Sequence, residues 1–162
     1  MSDVRAGNEI KIEKIETKLT LNIPIPELDF EVNIAGIVDR VDRYNGNIRI
    51  IDYKTGNVKQ QDLEIVDWES ITEDFKYSKA FQVLAYAAMI STEVPLQNAE
   101  AGIISFKNLN GGFLQFATKM AQRGSKNNQI SEEVLAFFLM ELKKLILEIC
   151  NPEIPFIEKE IQ

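Results

Sequence analysis

The dipeptide Asn45-Gly46 lies between two stretches of alternating apolar residues and constrains the fold of this chain more than any other feature. Asn-Gly in that setting predicts a β-hairpin with a two-residue loop. If these two residues form the loop, Asp42 faces Arg49 across the strands. That pair of opposite charges is favourable, so it supports the predicted register.

The same register places two acids opposite each other, Asp39 and Asp52. Their Cβ atoms would lie about 5 Å apart, where two carboxylates repel by about 3 kcal/mol at an effective dielectric constant of about 20. Either one carboxyl group holds a proton with a raised pKa, or a cation lies between them. Lys54 points to the same face, because side chains alternate along a strand, and Val41 and Ile50 there are apolar. Two acids and a lysine on an apolar face predict a functional site.

These residues resemble the motifs of a known enzyme family. The pattern Gly-x-x-Asp-Arg-x-Asp (36–42), a short hairpin and Asp-Tyr-Lys-Thr-Gly (52–56) are similar to the PD-(D/E)XK nuclease superfamily, above all to its RecB/AddB-type exonuclease branch. Gln-Val-Leu-Ala-Tyr (82–86) resembles the QxxxY element on the helix after the catalytic hairpin of that branch. The resemblance is specific, because three motifs agree in order and spacing over roughly residues 16–156.

The resemblance implies a metal-dependent deoxyribonuclease with Mg²⁺ or Mn²⁺ as its cofactor. Asp39 and Asp52 would hold the ion, beside the backbone carbonyl of Tyr53. Lys54 would orient the attacking water and offset negative charge in the transition state, although it could also be a structural counter-ion. The other implied site residues, Gln82 and Tyr86, share a helix face because they are four apart. They would support Lys54 or the DNA backbone, or else form a buried pair that satisfies backbone groups.

The resemblance also implies partners: DNA, and a helicase domain or subunit of a parent protein that acts in DNA repair and recombination. RecB-type nucleases usually carry a metal-site histidine on a helix before the first strand, and many AddB-type relatives carry a cysteine cluster near the end. This chain has no histidine and a single cysteine, Cys150. We therefore expect a single nuclease-type domain, 1–162, excised from a larger protein. The alternative is a catalytically incomplete PD-(D/E)XK scaffold that binds DNA or a partner subunit.

Composition limits the possible chemistry. Without histidine, a metal site has only carboxylates, carbonyls and water, which suit Mg²⁺ or Mn²⁺ better than zinc.

The net charge of −7 is unusual for a DNA-binding protein, because phosphate contacts require Lys and Arg. A local basic strip could form from Lys107, Lys119, Arg123 and Lys126, which could equally be solubilising residues of a surface loop. The sequence contains no glycine-rich phosphate-binding loop, so it does not favour a nucleotide-binding enzyme. No membrane span or signal peptide is indicated, so we expect a cytoplasmic protein.

The apolar patterns predict an α/β fold, in which a central mixed β-sheet is flanked by helices. This agrees with the restriction-endonuclease-like αβββαβ core that the resemblance implies, with its N-terminal helix missing. We expect strands at 15–23, 30–39, 48–54, 101–106 and 113–118, a helix from 72 or 78 to 91, and a last helix from an N-cap at Ser131 to before Pro152. Residues 1–8 are expected to be flexible, and 56–71 and 122–129 to be loops.

Overall fold

The computed structural model describes residues 7–121 and 123–157 and confirms the predicted α/β architecture. Its strands are β1 (Ile10–Ile23), β2 (Val32–Tyr44), β3 (Asn47–Lys54), β4 (Glu64–Ile65), β5 (Glu100–Ser105), β6 (Phe113–Gln115), β7 (Ala117–Lys119) and β8 (Lys126–Asn127). Its helices are α1 (Ser70–Glu73), α2 (Ser78–Ser91) and α3 (Glu132–Ile149). Within the described ranges, the central sheet has the order β1-β2-β3-β5-β6. β5 runs parallel to β3 and the other neighbours are antiparallel, so the sheet is mixed.

The hairpin of β2 and β3 has the predicted register. Asp42 pairs with Arg49, and the regular ladder extends as far as Arg40 and Ile51. Asn45 and Gly46 have φ values of 49° and 87°, the left-handed conformation that the favoured two-residue turn requires. The hairpin therefore forms because two adjacent residues tolerate positive φ between strands of high β-propensity.

Helix α2 covers the sheet face that carries the predicted site. It ends at Ser91 as expected and begins at Ser78, the second of the two predicted starts. The buried face of this helix is lined by Ala80, Val83, Leu84, Ala87 and Ile90. Small and aliphatic side chains at helical spacing allow it to pack closely on the strands.

The prediction of a long loop over 56–71 is wrong. This segment contains a 3₁₀ turn at Gln60–Leu63, strand β4 and the first residues of α1. Val58, Leu63 and Ile65 are all buried in the core. The sequence pattern failed here because each element is too short to show a period of its own.

The predicted strand 113–118 is divided between two sheets. β6 extends the central sheet beside β5, whereas β7 pairs with β4 and β8 in a small second sheet. The break falls at Phe116, which is fully buried and donates its N–H to Ala101 O at 2.8 Å. The prediction of a loop over 122–129 is wrong in part, because β8 lies within this segment. Gln122 lies outside the described residues. Residues 1–6 of the expected flexible lead-in lie outside them too.

The last helix, α3, agrees with its prediction. Ser131 caps its N-terminus by accepting the N–H of Val134 at 3.2 Å, and the helix ends at Ile149, before Pro152. Phe138 is fully buried and meets Phe81 of α2 edge to face, with 5.3 Å between ring centroids. Among the described residues, no helix is both long and apolar enough to cross a membrane.

The far side of the hairpin from α2 is held by a buried ion pair. Asp42 is fully buried and accepts two hydrogen bonds from Arg49, at 2.9 and 3.1 Å. Arg49 also lies over the ring of Tyr44, with its guanidinium carbon 4.2 Å from the centroid. This interaction fixes the register close to the turn.

Replacing Asp42 with Ala should lower the free energy of unfolding by about 3–5 kcal/mol, because a buried guanidinium loses its carboxylate. Urea denaturation would measure the loss. Ser131→Ala, which removes a helix cap, is the comparison and should cost about 1 kcal/mol. A loss for Asp42→Ala no larger than that of Ser131→Ala would contradict this account of the hairpin.

Candidate active site

The structure brings Asp39, Asp52 and Lys54 together at the end of the hairpin remote from the turn. Asp52 and Lys54 are alternate residues of β3, and Lys54 Nζ lies 2.9 Å from Asp52 Oδ2. Asp39 is one step beyond the last regular pair of the β2–β3 ladder, and its Oδ2 accepts the N–H of Tyr53 at 2.8 Å. The predicted same-face neighbour Ile50 is fully buried. The acids and the lysine thus border an apolar region beneath α2.

Burial governs the electrostatics of this site. Asp52 is only 3 % exposed, and burial raises the pKa of its carboxyl group. Lys54 acts in the opposite direction by stabilising the carboxylate, and the charge of Asp39 raises the pKa further. Burial also raises the pKa of the Tyr86 hydroxyl, with contributions from the charges of Asp52 and Asp39. The charge of Asp39 thus acts on the pKa of Asp52 in the direction that the predicted repulsion requires.

Helix α2 contributes a hydrogen-bonded chain to Lys54. Lys54 Nζ donates to Gln82 Oε1 at 2.6 Å, and Gln82 Nε2 donates to the hydroxyl oxygen of Tyr86 at 2.9 Å. Gln82 can serve both partners at once because its amide presents an acceptor and a donor. Of the two alternatives for this pair, the contacts favour support of Lys54 over satisfaction of backbone groups.

Tyr53 presents its backbone to the site and its side chain to the far side of the sheet. Its ring stacks on Phe106, with centroids 5.7 Å apart, and its hydroxyl accepts a hydrogen bond from Arg40 at 3.3 Å. Arg40 also pairs with Asp42, with Nη2 2.5 Å from Oδ2. Arg40 and Asp42 therefore make structural contacts on that side.

The candidate metal ligands fit a small, hard divalent ion. Asp52 Oδ2 is buried, and among the described residues no donor is aligned for a hydrogen bond to it, although the Lys54 ammonium is close. No group of three or more Asp, Glu, Cys or His residues that could hold a metal occurs in the described part of the chain. Two carboxylates are nevertheless a sufficient protein contribution for Mg²⁺, which completes its shell with water and phosphate oxygens.

The proposed basic strip is weakened by internal ion pairs. Lys119 and Lys126 both contact the carboxylate of Glu64, a buried residue of β4 in the small sheet. The other two members of the set, Lys107 and Arg123, are exposed. Two of the four cations thus neutralise an internal acid, which the sequence could not indicate because the pairs span distant elements.

Sequence reasoning did not single out Ser105. This residue of β5 is fully buried, pairs with Lys54, and donates its hydroxyl to Gly56 O at 2.7 Å. It therefore anchors the backbone just after Lys54. A lone serine ending an apolar strand was the available signal, but it has no specific meaning without the fold.

A match to a known protein family assigns the chain to a class. The sequence profile of the PD-(D/E)XK nuclease superfamily matches residues 3–160. The chain therefore belongs to the PD-(D/E)XK nuclease superfamily, which supports nuclease activity and implies a DNA substrate. A search of curated proteins gives no significant match.

Asp52→Asn should raise the melting temperature of the metal-free protein, because the amide removes a buried charge that Lys54 only partly compensates. Adding Mn²⁺ should then raise the melting temperature of the wild type but not that of the variant. Thermal unfolding with a chelator and with Mn²⁺ would measure both effects. The exposed Asp29→Asn is the matched control and should behave as the wild type. A large drop for metal-free Asp52→Asn would mean that the carboxylate is a structural ion pair.

Proposed function

We propose that this protein is a metal-dependent DNA nuclease domain of the RecB/AddB type, which hydrolyses phosphodiester bonds in DNA repair or recombination. The observation that carries this proposal is the convergence of two acids and one lysine at the end of the hairpin. Lys54 Nζ is 2.9 Å from Asp52 Oδ2 and 2.6 Å from Gln82 Oε1. Motif order, spacing and family membership support the same function.

In this proposal Asp39 and Asp52 hold Mg²⁺ or Mn²⁺, with the carbonyl of Tyr53 beside them. A bound divalent ion would lower the pKa of a coordinated water and polarise a phosphoryl oxygen. The buried Asp52 Oδ2, close to an ammonium but without an aligned donor among the described residues, supports this assignment. The Asp39 carboxylate is already oriented, because its Oδ2 accepts a hydrogen bond from the Tyr53 N–H.

Lys54 is the proposed catalytic cation. An ammonium group has three N–H donors. Gln82 Oε1 accepts one of them, whereas the contact with Asp52 is an ion pair without an aligned hydrogen bond. A remaining donor can reach the attacking water or a phosphate oxygen, and the side chain is 31 % exposed, so substrate can reach it. A positive charge held there offsets the negative charge that develops in the transition state.

Gln82 and Tyr86 act as positioning residues in this mechanism. The Tyr86 hydroxyl fixes the amide of Gln82, whose oxygen then faces Lys54. Preorganisation of this kind restricts the ammonium to one geometry before substrate binds. DNA and a helicase domain or subunit are the proposed partners, and the RecB/AddB-type motifs support both.

Asp52→Ala and Lys54→Ala should each lower metal-dependent DNA cleavage by about 100-fold or more, because the first removes a ligand of the proposed ion and the second removes the cation beside the reacting phosphate. Cleavage of linear and plasmid DNA with Mg²⁺ or Mn²⁺ would measure the loss, and circular dichroism would verify folding. The exposed Asp29→Ala and Lys18→Ala variants should cleave like the wild type. Metal-dependent cleavage that persists in both site variants would rule out this mechanism.

A second candidate function is a catalytically incomplete scaffold that binds DNA or a partner subunit. It is favoured by one observation: the described residues offer two acids to an ion and no larger cluster of ligating side chains. Calorimetric titration with Mn²⁺ separates the two candidates. Saturable binding by the wild type that is lost in Asp39→Ala supports the enzyme. DNA binding without Mn²⁺ binding or cleavage supports the scaffold.

A further inference from the structure

Strand β2 changes the phase of its side chains next to Asp39. Gly36 faces α2, because a Cβ built there would lie 3.2 Å from a ring carbon of Tyr86. Val38, two residues later, is fully buried on the same side. Val41 is also in the core under α2, where it pairs with Ile50. Because side chains alternate in a regular strand, Val38 and Val41 can share a side only if the alternation is broken once between them. We call this break the slip; the pairing of β2 with β1 stays in register across it.

Strand β1 makes the same change opposite. Leu19 and Ile23 belong to the core on the α2 side. Lys14 also points that way, since its Nζ lies 2.6 Å from Glu93 Oε2, just after α2. Lys14 is an odd number of residues from Leu19, so the alternation is broken in β1 as well, separately from the shift of register between Ile12 and Lys14. Glu16 lies in this interval and has a φ of 44°.

The position of Glu16 is unusual. The other described non-glycine residues with positive φ are Asn45 and Asn98, which lie in turns, whereas Glu16 is inside a strand. Asparagine tolerates the left-handed region, but glutamate rarely adopts it. Glu16 and Asp39 occupy the positions between the pairs Ile15–Arg40 and Thr17–Val38, so they face each other across the two strands.

The slip lets Val38 and Asp39 both face α2. If the alternation ran unbroken from Val38, Asp39 would share the side of Ile37, which is 55 % exposed, away from α2. If it ran unbroken from Val41, Asp39 would face α2 but Val38 would leave the core. With the slip, the carboxylate lies on the α2 side, takes the N–H of Tyr53, and acts electrostatically on Asp52 and Tyr86. Arg40, the next residue, then points to the far side and meets the Tyr53 hydroxyl.

We propose that Glu16 is a positioning residue: its left-handed backbone in β1 holds the change of phase that lets the Asp39 carboxylate face the candidate active site while Val38 stays in the core. The role is one of backbone conformation and not of the Glu16 side chain, which is exposed. As far as it concerns ion binding, the inference rests on the proposed nuclease function. Sterically disfavoured conformations persist where the surrounding structure fixes them, and they are concentrated at functional sites.

Three substitutions separate the backbone of Glu16 from its side chain. Gly adopts positive φ freely, Gln keeps the length without the charge, and Val strongly disfavours positive φ. In the full chain, we expect Glu16→Gly and Glu16→Gln to bind Mn²⁺ within about twofold of the wild type. Glu16→Val should bind about tenfold more weakly by calorimetry, which corresponds to about 1.4 kcal/mol.

A second readout needs neither metal nor activity. The amide proton of Tyr53 donates to Asp39, so its NMR shift and exchange rate report the carboxylate position in metal-free protein. Glu16→Val should change both toward their values in Asp39→Ala, whereas Glu16→Gly and Glu16→Gln should not. If the wild type binds no Mn²⁺ but this pattern appears, the proposed function fails and the positioning role is supported.

Asn98→Val is the matched control. It places a β-branched residue at a φ of 55° in the turn before β5, so it should lower stability but leave Mn²⁺ affinity and the Tyr53 amide unchanged. The positioning role would be overturned if Glu16→Val left both readouts unchanged, or if Asn98→Val altered them equally. Equal losses in Glu16→Gly and Glu16→Gln would also overturn it, because they would assign the effect to the side-chain carboxylate.

Discussion

The buried carboxylate of Asp52 is the interaction on which the candidate site depends. A charge beneath a helix and beside apolar strand residues is costly unless it is paired and hydrogen-bonded. Lys54 pairs with one oxygen but is not aligned with it as a hydrogen-bond donor. Asp39, close enough to raise the pKa of Asp52 further, increases the excess of negative potential. The hairpin register, the slip in β2 and the amide of Gln82 all serve to concentrate charge at this point.

Each side of the hairpin carries a buried acid, and the two acids differ in how fully their charge is paired. On the far side, Asp42 receives two aligned hydrogen bonds from Arg49 and a third contact from Arg40, so its charge is satisfied. On the α2 side, Lys54 is the one cation that the described residues place against Asp52. Arginine forms bidentate, always-charged pairs, whereas the lysine ammonium is a compact donor that can be shared with another group. The first arrangement suits a structural role and the second suits chemistry.

Much of this structure follows from local sequence signals. Asn45-Gly46 fixed the turn, and the turn fixed the pairing of Asp42 with Arg49 and the approach of Asp39 to Asp52. Ser131 marked the start of the last helix, because an N-cap is a local interaction. The spacing of Gln82 and Tyr86 places them on one face of α2. Their contact with Lys54, however, was expected from the motif resemblance rather than from periodicity.

The remainder depends on contacts that no local pattern contains. β4 and β8 are two residues each, too short to show a period. The division of 113–118 depends on where Phe116 is buried, and the pairing of Lys119 with Glu64 joins distant parts of the chain. The slip at Glu16 has no sequence signal, because a glutamate with positive φ is held by its surroundings and not by its own preference.

The central claim is that Asp39 and Asp52 together hold one divalent ion. Anomalous diffraction from crystals grown with Mn²⁺ would test it most directly. The account predicts a single strong peak between the two carboxylates, within about 2.1–2.3 Å of an oxygen from each. The absence of a peak there at saturating Mn²⁺, or a peak only at other acidic residues such as Glu69 and Glu73, would contradict it.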